Sequence, residues 1–161
     1  MPETRRIATK IHPIMKQLII TLMLTGIVNI PLSIYGQCKG FVKKTCVPML
    51  TPFISNGTTN TAALLAGDKA EMNLTFYSGQ TYRVLVCSQP VLGTVSFRLK
   101  DASGNLLFDS QAHDDTNIWD FKAETTQQIT IEVEVPKTDA ANQIVPSGCV
   151  SVMIGFMPEK K

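Results

Sequence analysis

Four aspartates and one histidine between residues 109 and 120 are the side chains best suited to chemistry in this sequence. The group consists of Asp109, His113, Asp114, Asp115 and Asp120, all within twelve residues and flanked by predicted strands. Hard cations such as calcium take six to eight oxygen ligands, which clustered carboxylates can supply. The segment is therefore a candidate cation site with calcium as the possible cofactor, although its spacing matches no established calcium loop. The favoured interpretation is nevertheless a solvated connection between strands, so the sequence predicts no cofactor.

Hydrolytic chemistry would require a nucleophile, a base and a group that orients the base. After residue 36 the sequence has one histidine, His113, and it contains no Gly-x-Ser-x-Gly nucleophile elbow. Carboxylate pairs for glycoside hydrolysis could come from the acidic segment, but carboxylates in a loop are usually solvated. The sequence therefore predicts that the protein is not an enzyme.

Three side chains are candidate ligand contacts: Trp119, His113 and Tyr77. An exposed Trp119 could stack on a sugar or a peptide. Its alternation with Ile118 and Asp120, in register with Phe121, instead favours a place in the core. Tyr77 flanks a turn and is expected to pack on a sheet. A glycan-binding protein should expose aromatic side chains, so a surface position of Trp119 or Tyr77 would favour that function.

The four cysteines are predicted to form two disulfides. An even number of cysteines in an exported chain indicates disulfide bonds, and Cys38, Cys46, Cys87 and Cys149 allow three pairings. We predict the pairs Cys38–Cys46, which closes a small loop, and Cys87–Cys149, which staples two strands. The competing interpretation is a zinc site. The spacing of the first two cysteines is wide for a zinc pair, and only His113 could add an imidazole.

Residues 15–36 have the features of a secretory signal peptide. Lys16 provides a positive start, residues 18–28 are apolar, and the small Gly36 precedes the predicted cleavage site. A membrane anchor is the alternative, but the apolar run is shorter than the ~20 residues that a spanning helix needs. Residues 1–14 fit poorly ahead of a signal peptide, and we interpret them as a spurious upstream extension.

Lipid attachment at Cys38 is a further alternative, because this residue closely follows the apolar run. The preceding Tyr35 and Gln37 do not fit the lipobox pattern of leucine and two small residues before the cysteine. Cleavage before Gln37 would leave residues 37–161 as a single exported domain, periplasmic or extracellular, without a stable membrane span.

The charge of residues 37–161 argues against nucleic acid as a partner. The whole chain has 15 Lys/Arg and 13 Asp/Glu; four of the former and one of the latter precede residue 37, which leaves 11 against 12 and a net charge of −1. A nearly neutral chain without a basic run offers no electrostatic attraction for nucleic acid or anionic lipid.

Apolar and polar residues alternate with a period of two over most of the exported region, which is typical of half-buried strands. The predicted strands are residues 71–76, 81–87, 94–100, 105–109, 117–121, 128–135 and 150–156, with a possible edge strand at 49–54. Residues 71–87 and 94–109 are each interpreted as a hairpin, residues 56–60 as a turn, and residues 61–66 as a helical turn or a strand. No helix is predicted in residues 37–161.

Seven or eight strands with one apolar face each cannot all be buried by a single sheet. The sequence therefore predicts an all-β antiparallel β-sandwich of jelly-roll or Greek-key type. The predicted core consists of Leu74, Phe76, Tyr82, Val84, Val95, Phe97, Leu99, Trp119, Ile131, Val133, Val152 and Ile154.

Several stretches resemble an uncharacterised family of small exported proteins from Bacteroidetes-type bacteria. The resemblance lies in residues 74–87, 119–121, 130–133 and 146–150. The order of strand, glycine turn, Tyr-x-Val strand, hairpin and late Ile-Thr-Ile-x-Val strand is distantly similar to bacterial pre-peptidase C-terminal domains. Those are β-sandwiches appended to secreted enzymes, but their Asp-x-Asp-Leu-Tyr pattern is replaced here by residues 94–99. The resemblance implies export and a β-sandwich, and no activity.

These observations favour an exported, non-enzymatic binding or interaction module at the cell envelope or outside the cell, with a protein or glycan as partner. The alternatives are a structural or assembly component of a cell-surface complex and an unrecognised small hydrolase. An assembly component should carry an exposed apolar patch or a long unpaired edge strand. A hydrolase should gather His113 and two carboxylates in one pocket.

Overall fold

Two four-stranded antiparallel sheets make up the fold in the computed structural model, which describes residues 34–138 and 144–157, with side chains from Cys38 onward. The predicted extension and almost all of the predicted signal peptide lie outside the described residues. Export and cleavage therefore stay predictions. Within the described ranges no helix has the length and apolar character needed to cross a membrane.

The strand order identifies a jelly-roll sandwich. The strands are β1 (Ile54–Leu65), β2 (Lys69–Phe76), β3 (Thr81–Ser88), β4 (Ser96–Asp101), β5 (Leu106–Asp109), β6 (Ile118–Lys122), β7 (Gln127–Glu134) and β8 (Ser147–Phe156). Sheet A has the order β1-β8-β3-β6 and sheet B the order β2-β7-β4-β5. Successive strands mostly alternate between the sheets, as in a jelly roll. The predicted all-β antiparallel sandwich with about eight strands is confirmed.

The core fills the space between the sheets, where the inward faces of both pack together. Ten of the twelve predicted core residues are buried, and the other two, Leu74 and Trp119, are half-buried where the sheets meet solvent at their edges. Period-two alternation therefore identifies the core face of each strand, because a strand places successive side chains on opposite faces.

Only one of the two predicted hairpins forms. β4 and β5 pair as expected, whereas β2 pairs with β7 and β3 pairs with β6 and β8, in different sheets. The turn at Gly79, where φ is +84°, carries the chain from one sheet to the other. Phe76 and Tyr82 then meet across the core with ring centroids 4.9 Å apart. Local alternation could not distinguish these arrangements, because both bury the same faces.

A side-chain hydrogen-bond network closes the β4–β5 turn. Asp101 Oδ1 accepts hydrogen bonds from the backbone N–H groups of Ser103 and Asn105, and Oδ2 accepts one from Asn105 Nδ2, at 2.8–2.9 Å. These bonds lower the pKa of Asp101, and the bond from the Asn105 side chain has the largest effect. Carboxylate charge thus stabilises the folded turn.

Substituting Asp101→Asn should flatten the acid limb of the stability profile. A carboxyl group whose folded pKa lies below its unfolded value of about 3.9 contributes stability above that value and loses it as the pH falls through the folded pKa. Urea unfolding at several pH values should show a constant advantage of the wild type over the variant above about pH 5 and a loss of that advantage as the pH falls below about 3.9. A constant difference at all pH values would contradict the assignment.

A helical segment that the sequence did not predict precedes β1 and covers the outer face of sheet A. It comprises α1 (Ile34–Phe41), a π-helical turn (Val42–Cys46) and α2 (Val47–Met49). Val42, Cys46 and Leu50 from this region form a second apolar cluster with Leu85, Cys87 and Met153 of sheet A. The prediction of no helix, and of an edge strand at 49–54, was wrong. The outer face of sheet A carries an apolar patch of Leu85, Cys87 and Met153, which needs a cover.

The two disulfides join this helical segment to sheet A, and the predicted pairing was wrong. The bonds are Cys38–Cys149 and Cys46–Cys87, with Cα atoms 5.5 and 5.7 Å apart. Eight residues of helix separate Cys38 from Cys46 by about 12 Å, because each residue rises about 1.5 Å, and disulfide geometry cannot span that distance. Assuming an irregular loop there produced the wrong connectivity.

Arg83 on the outer face of sheet A fastens the end of the helical segment. Its guanidinium donates two hydrogen bonds to Asp120, at 2.8 and 2.7 Å, and two to the carbonyl oxygens of Met49 and Thr51, at 3.1 and 3.0 Å. It also lies 4.4 Å from the ring centroid of Phe53. The hydrogen bond with Asp120 raises the pKa of Arg83, although burial acts in the opposite direction.

The variant Arg83→Met should lower the free energy of unfolding by about 2 kcal/mol, since hydrogen bonds to charged groups each contribute about 1.5–3 kcal/mol and Asp120 keeps partial contact with water. Arg98→Met is the matched control. Arg98 pairs with Asp109 at 3.1 Å on the solvent face of sheet B, where ion pairs contribute about 0–1 kcal/mol. Equal losses for the two variants in urea unfolding would show that Arg83 has no special role.

Candidate binding cleft

The acidic segment is divided between the two sheets. Asp109, at the end of β5, accepts hydrogen bonds from the Gln111 backbone N–H at 3.0 Å and from Arg98 Nε at 3.1 Å. Asp120 lies in β6 and binds Arg83. Asp114 and Asp115 form the intervening turn, both with positive φ. No group of three or more His, Cys, Asp or Glu side chains within the described ranges is placed to hold a metal ion, and we propose no cation site there.

Trp119 and His113 belong to an aromatic stack at the β5–β6 side of the sandwich. The indole of Trp119 lies between Phe108 and Phe121, with centroids 4.9 and 4.4 Å away. The ring of His113 also stacks on Phe108, with centroids 4.8 Å apart, and its Nδ1 lies 2.9 Å from the carbonyl oxygen of Asp109. Both candidate ligand contacts thus have packing roles where the two sheet edges meet.

Tyr77 is 62% exposed, so the expectation that it packs on a sheet was wrong. Phe76 occupies the inward position at the end of β2, and alternation turns the next side chain outward. The Tyr77 backbone N–H donates a hydrogen bond to the hydroxyl oxygen of buried Tyr82 at 3.1 Å. This bond holds Tyr77 beside the opening between the sheets.

An open cleft of about 430 Å³ lies at that opening. Its floor is apolar and its rim polar; the lining residues are Asn56, Leu74, Thr75, Phe76, Tyr77, Gln80, Tyr82, Ile154 and Phe156. Of the residues that sequence reasoning nominated for ligand contact, only Tyr77 lines it. The volume lies within the range of about 300–1,000 Å³ typical of ligand sites.

A bulge in β1 opens the cleft. Ser55 pairs with Gly155 and Thr59 pairs with Met153, so residues 56–58 stand opposite the single residue Ile154. The bulge has its own local bonds, from the Gly57 N–H to Ser55 Oγ and from the Thr58 N–H to Asn56 Oδ1. The predicted turn at 56–60 is therefore an irregularity within a strand, not a connection. It leaves the inward side of β8 without its edge neighbour.

An apolar seam continues from the cleft between the edge strands β1 and β2. Leu64, Met72 and Leu74 are half-buried there and pack against the core. Asn60 Nδ2 lies 3.5 Å from Met72 Sδ across the gap. The cleft and the seam together form one continuous apolar strip along this side of the sandwich.

No protein-family model and no curated protein matches the chain. Solved structures are similar to it in fold. PliG of Aeromonas hydrophila, a periplasmic inhibitor of g-type lysozyme, is 12% identical, with 65% of this chain and 91% of that chain covered and a TM-score of 0.48. PliG of Salmonella Typhimurium is 12% identical, with 62% and 88% covered and a TM-score of 0.38.

A pre-peptidase C-terminal domain is also among the similar structures. That domain, from the collagenase of Bacillus anthracis, is 19% identical to this chain, with 60% of this chain and 87% of that chain covered and a TM-score of 0.45. A distant resemblance to such domains was expected from the sequence. Membership of the exported Bacteroidetes-type family stays a prediction.

The side chains that line the cleft are apolar, aromatic or polar without charge. Among the described residues that line it, none carries a carboxylate, an imidazole, an ammonium or a thiol. Four aromatic rings offer apolar contact and stacking, and Asn56, Thr75 and Gln80 offer hydrogen bonds. This combination suits an apolar or aromatic group that carries few charges.

The outer face of sheet B carries paired charges. Lys69 lies 3.1 Å from Glu134, Arg98 contacts both Glu134 and Asp109, and Lys100 bonds Glu132. The hydrogen bond from Lys69 lowers the pKa of Glu134. Each cation named here has an anionic partner, which leaves this face without a strongly basic patch.

Proposed function

We propose that this protein is an exported, non-enzymatic binding module that holds an apolar or aromatic group of a partner in the cleft between its sheets. The observation that carries the proposal is the cleft itself, with an aromatic floor, a hydrogen-bonding rim and no carboxylate, imidazole, ammonium or thiol among its described lining residues. The partner is a protein or a glycan at the cell envelope or outside the cell. The two disulfides support a periplasmic or extracellular location, because such bonds persist in oxidising compartments.

The second candidate is a structural or assembly component of a cell-surface complex. It is favoured by one observation, the twelve-residue edge strand β1, whose sequence contains no charged residue and no proline. Long edges of this kind pair readily with other strands. We do not propose a hydrolase, since His113 is engaged in the aromatic stack and Asp109 bonds Arg98.

The test is a titration of the isotope-labelled protein with small probes, followed through its backbone NMR signals. Indole and p-cresol represent aromatic groups, cyclohexanol an aliphatic group and methyl β-glucoside a glycan. We expect one or more probes to shift signals of residues 74–80 and 154–156. Tyr77→Ala should weaken that binding, whereas Leu106→Ala, which removes a similarly exposed side chain on β5, should leave it unchanged.

Two results would refute the proposal. One is the absence of any perturbation around the cleft with all four probes at millimolar concentration. The other is a response confined to the Trp119 stack, which would place the binding surface at the β5–β6 side instead.

A further inference from the structure

We propose that the partner is a protein that adds an extended, uncharged strand to the free edge of β1 and places one of its apolar side chains in the cleft. The inference rests on the proposed function, because it names the occupant of the same site. Strand addition of this kind obtains affinity from main-chain hydrogen bonds and specificity from pockets for alternate side chains.

The edge of β1 differs from the other sheet edges. In the described part of the chain β1 has a neighbouring strand, β8, on one side only. At the other edges, β2 carries Lys69 and Glu71, and β5 and β6 are four and five residues long. Charged side chains and short strands are common protections against strand addition. β1 is twelve residues long and carries no charged side chain, so its bulge is the one such protection found along it.

The hydrogen-bonding direction of each β1 residue follows from two flanking bonds. The Ala66 N–H donates to the carbonyl oxygen of Pro146 at 3.0 Å, toward the β8 side. The Leu65 N–H is instead accepted by Asp68 Oδ2 at 2.8 Å. Because bonding direction alternates along an antiparallel strand, even-numbered residues of this stretch bond β8. Odd-numbered residues then direct their backbone groups outward.

Three residues before Leu65 therefore offer backbone groups to an incoming strand: Thr59, Thr61 and Ala63. Their side chains are small and uncharged. No hydrogen bond from their N–H groups to another part of the described chain is found outside the β1–β8 ladder. An extended polypeptide has donors and acceptors with the matching repeat, whereas a helix has already used its own and a glycan has no such repeat.

The apolar strip explains why the incoming strand should be uncharged and should carry an apolar side chain. Its inward side chains would lie next to Asn60, Ala62 and Leu64 and face the half-buried Met72 and Leu74 on β2. Charged side chains would lose hydration there without gaining a partner.

Beyond Thr59 the incoming strand reaches the bulge, where β1 no longer covers the inter-sheet space. An inward side chain at that point would enter the cleft above Ile154 and Phe156. Main-chain pairing and the cleft thus form one recognition surface, and neither a free small molecule nor a flat surface would use both parts.

The probe for this inference is a phage-displayed library of random ten-residue peptides, selected on the full chain with its disulfides intact. We expect enriched peptides to lack charged residues and to alternate apolar with polar positions. A synthetic peptide of the enriched sequence should slow hydrogen exchange at the amides of Thr59, Thr61 and Ala63. It should also shift the signals of residues 74–80.

Ala63→Pro should weaken binding of that peptide at least tenfold, because it removes one outward donor and leaves the bonds to β8 in place. Ala63→Val is the matched control and should bind as the wild type does. Ala63→Lys, which adds the charge used to protect edges, provides a second test that does not alter the backbone.

The outcomes separate the inference from the proposed function. If Tyr77→Ala weakens peptide binding but Ala63→Pro and Ala63→Lys do not, strand addition is refuted and the cleft remains a binding site. If the library yields no enrichment while a glycan probe binds the cleft, the inference fails alone. If neither type of variant affects any probe, both fail. A dimer of the wild type that Ala63→Lys dissociates, without peptide binding, would identify a second copy as the occupant and refute the partner proposed here.

Discussion

Replacing Cys46 and Cys87 together by alanine should lower the free energy of unfolding by about 3–4 kcal/mol. The bond closes a chain separation of 41 residues, and the loss of loop-closure entropy in the unfolded chain accounts for about 4 kcal/mol at that length. Both cysteines are buried, with Val42 and Leu50 around them. The variant should therefore also loosen the helical segment from sheet A.

The matched control is the double variant of Cys38 and Cys149, whose bond closes 111 residues. On the same entropic argument its loss costs about 4–5 kcal/mol, but the Cys46–Cys87 bond still holds the helical segment on the sheet. Urea unfolding measures the totals, and hydrogen exchange of residues 42–53 distinguishes the two variants. Exchange in this range should accelerate only when the Cys46–Cys87 bond is absent.

A peptide map of the unreduced protein checks the connectivity on which this prediction depends. Digestion should release one linked peptide pair containing Cys46 and Cys87 and another containing Cys38 and Cys149. A linked pair of Cys38 and Cys46 would restore the connectivity expected from sequence and would contradict the helical segment itself.

The sandwich could be predicted from sequence because the features that define its strands and turns lie within a few residues of one another. In β7, the side chains of Ile129, Ile131 and Val133 are buried and alternate with polar ones, and the turn from Asp101 to Asn105 carries its own hydrogen bonds. Such features depend on neighbours within a few residues. The partner of each strand is a non-local property, which is why β2 and β3 could be taken for a hairpin although they lie in different sheets.

The sequence of β3 contains an indication of the helical segment, because apolar residues lie on both of its faces. In β3, Val84, Leu85, Val86 and Cys87 are all buried, so both faces of this strand are covered. A strand with two apolar faces indicates a layer on each side, and the residues before β1 were the chain available to form it. One apolar face was assigned to each strand from the sequence, and this hid the need for a cover on the face that carries Cys87.

The cleft could not be predicted from sequence, because it depends on a mismatch between two strands. Three residues of β1 stand opposite one residue of β8, and no local pattern shows where pairing resumes. Tyr77 was named as a possible ligand contact, but its place beside a turn was interpreted as favouring packing on a sheet. Asn56, Gln80 and Phe156 carry no signal of their own, since they become neighbours only through the crossing of the chain between the sheets.

The two adjacent prolines Ala62→Pro and Ala63→Pro should differ sharply in their effect on stability. Ala62 directs its N–H toward β8, opposite buried Val150, so a proline there removes a ladder bond and leaves a buried carbonyl group unpaired. We expect a loss of about 3 kcal/mol in the free energy of unfolding. Ala63 directs its N–H away from the sheet, and proline is tolerated at such edge positions. Ala63→Pro should therefore lower the free energy of unfolding by less than about 1 kcal/mol.

This pair of variants tests the orientation of the edge without any ligand. Chemical denaturation of both proteins, with Ala62→Val and Ala63→Val as controls for side-chain size, gives the comparison. Equal destabilisation by the two prolines would mean that both N–H groups are bonded in the folded protein. In that case β1 would have a neighbour on each side, and the edge would not be available to a partner strand. The predicted inequality instead leaves the odd-numbered residues as the positions where an incoming strand can bond.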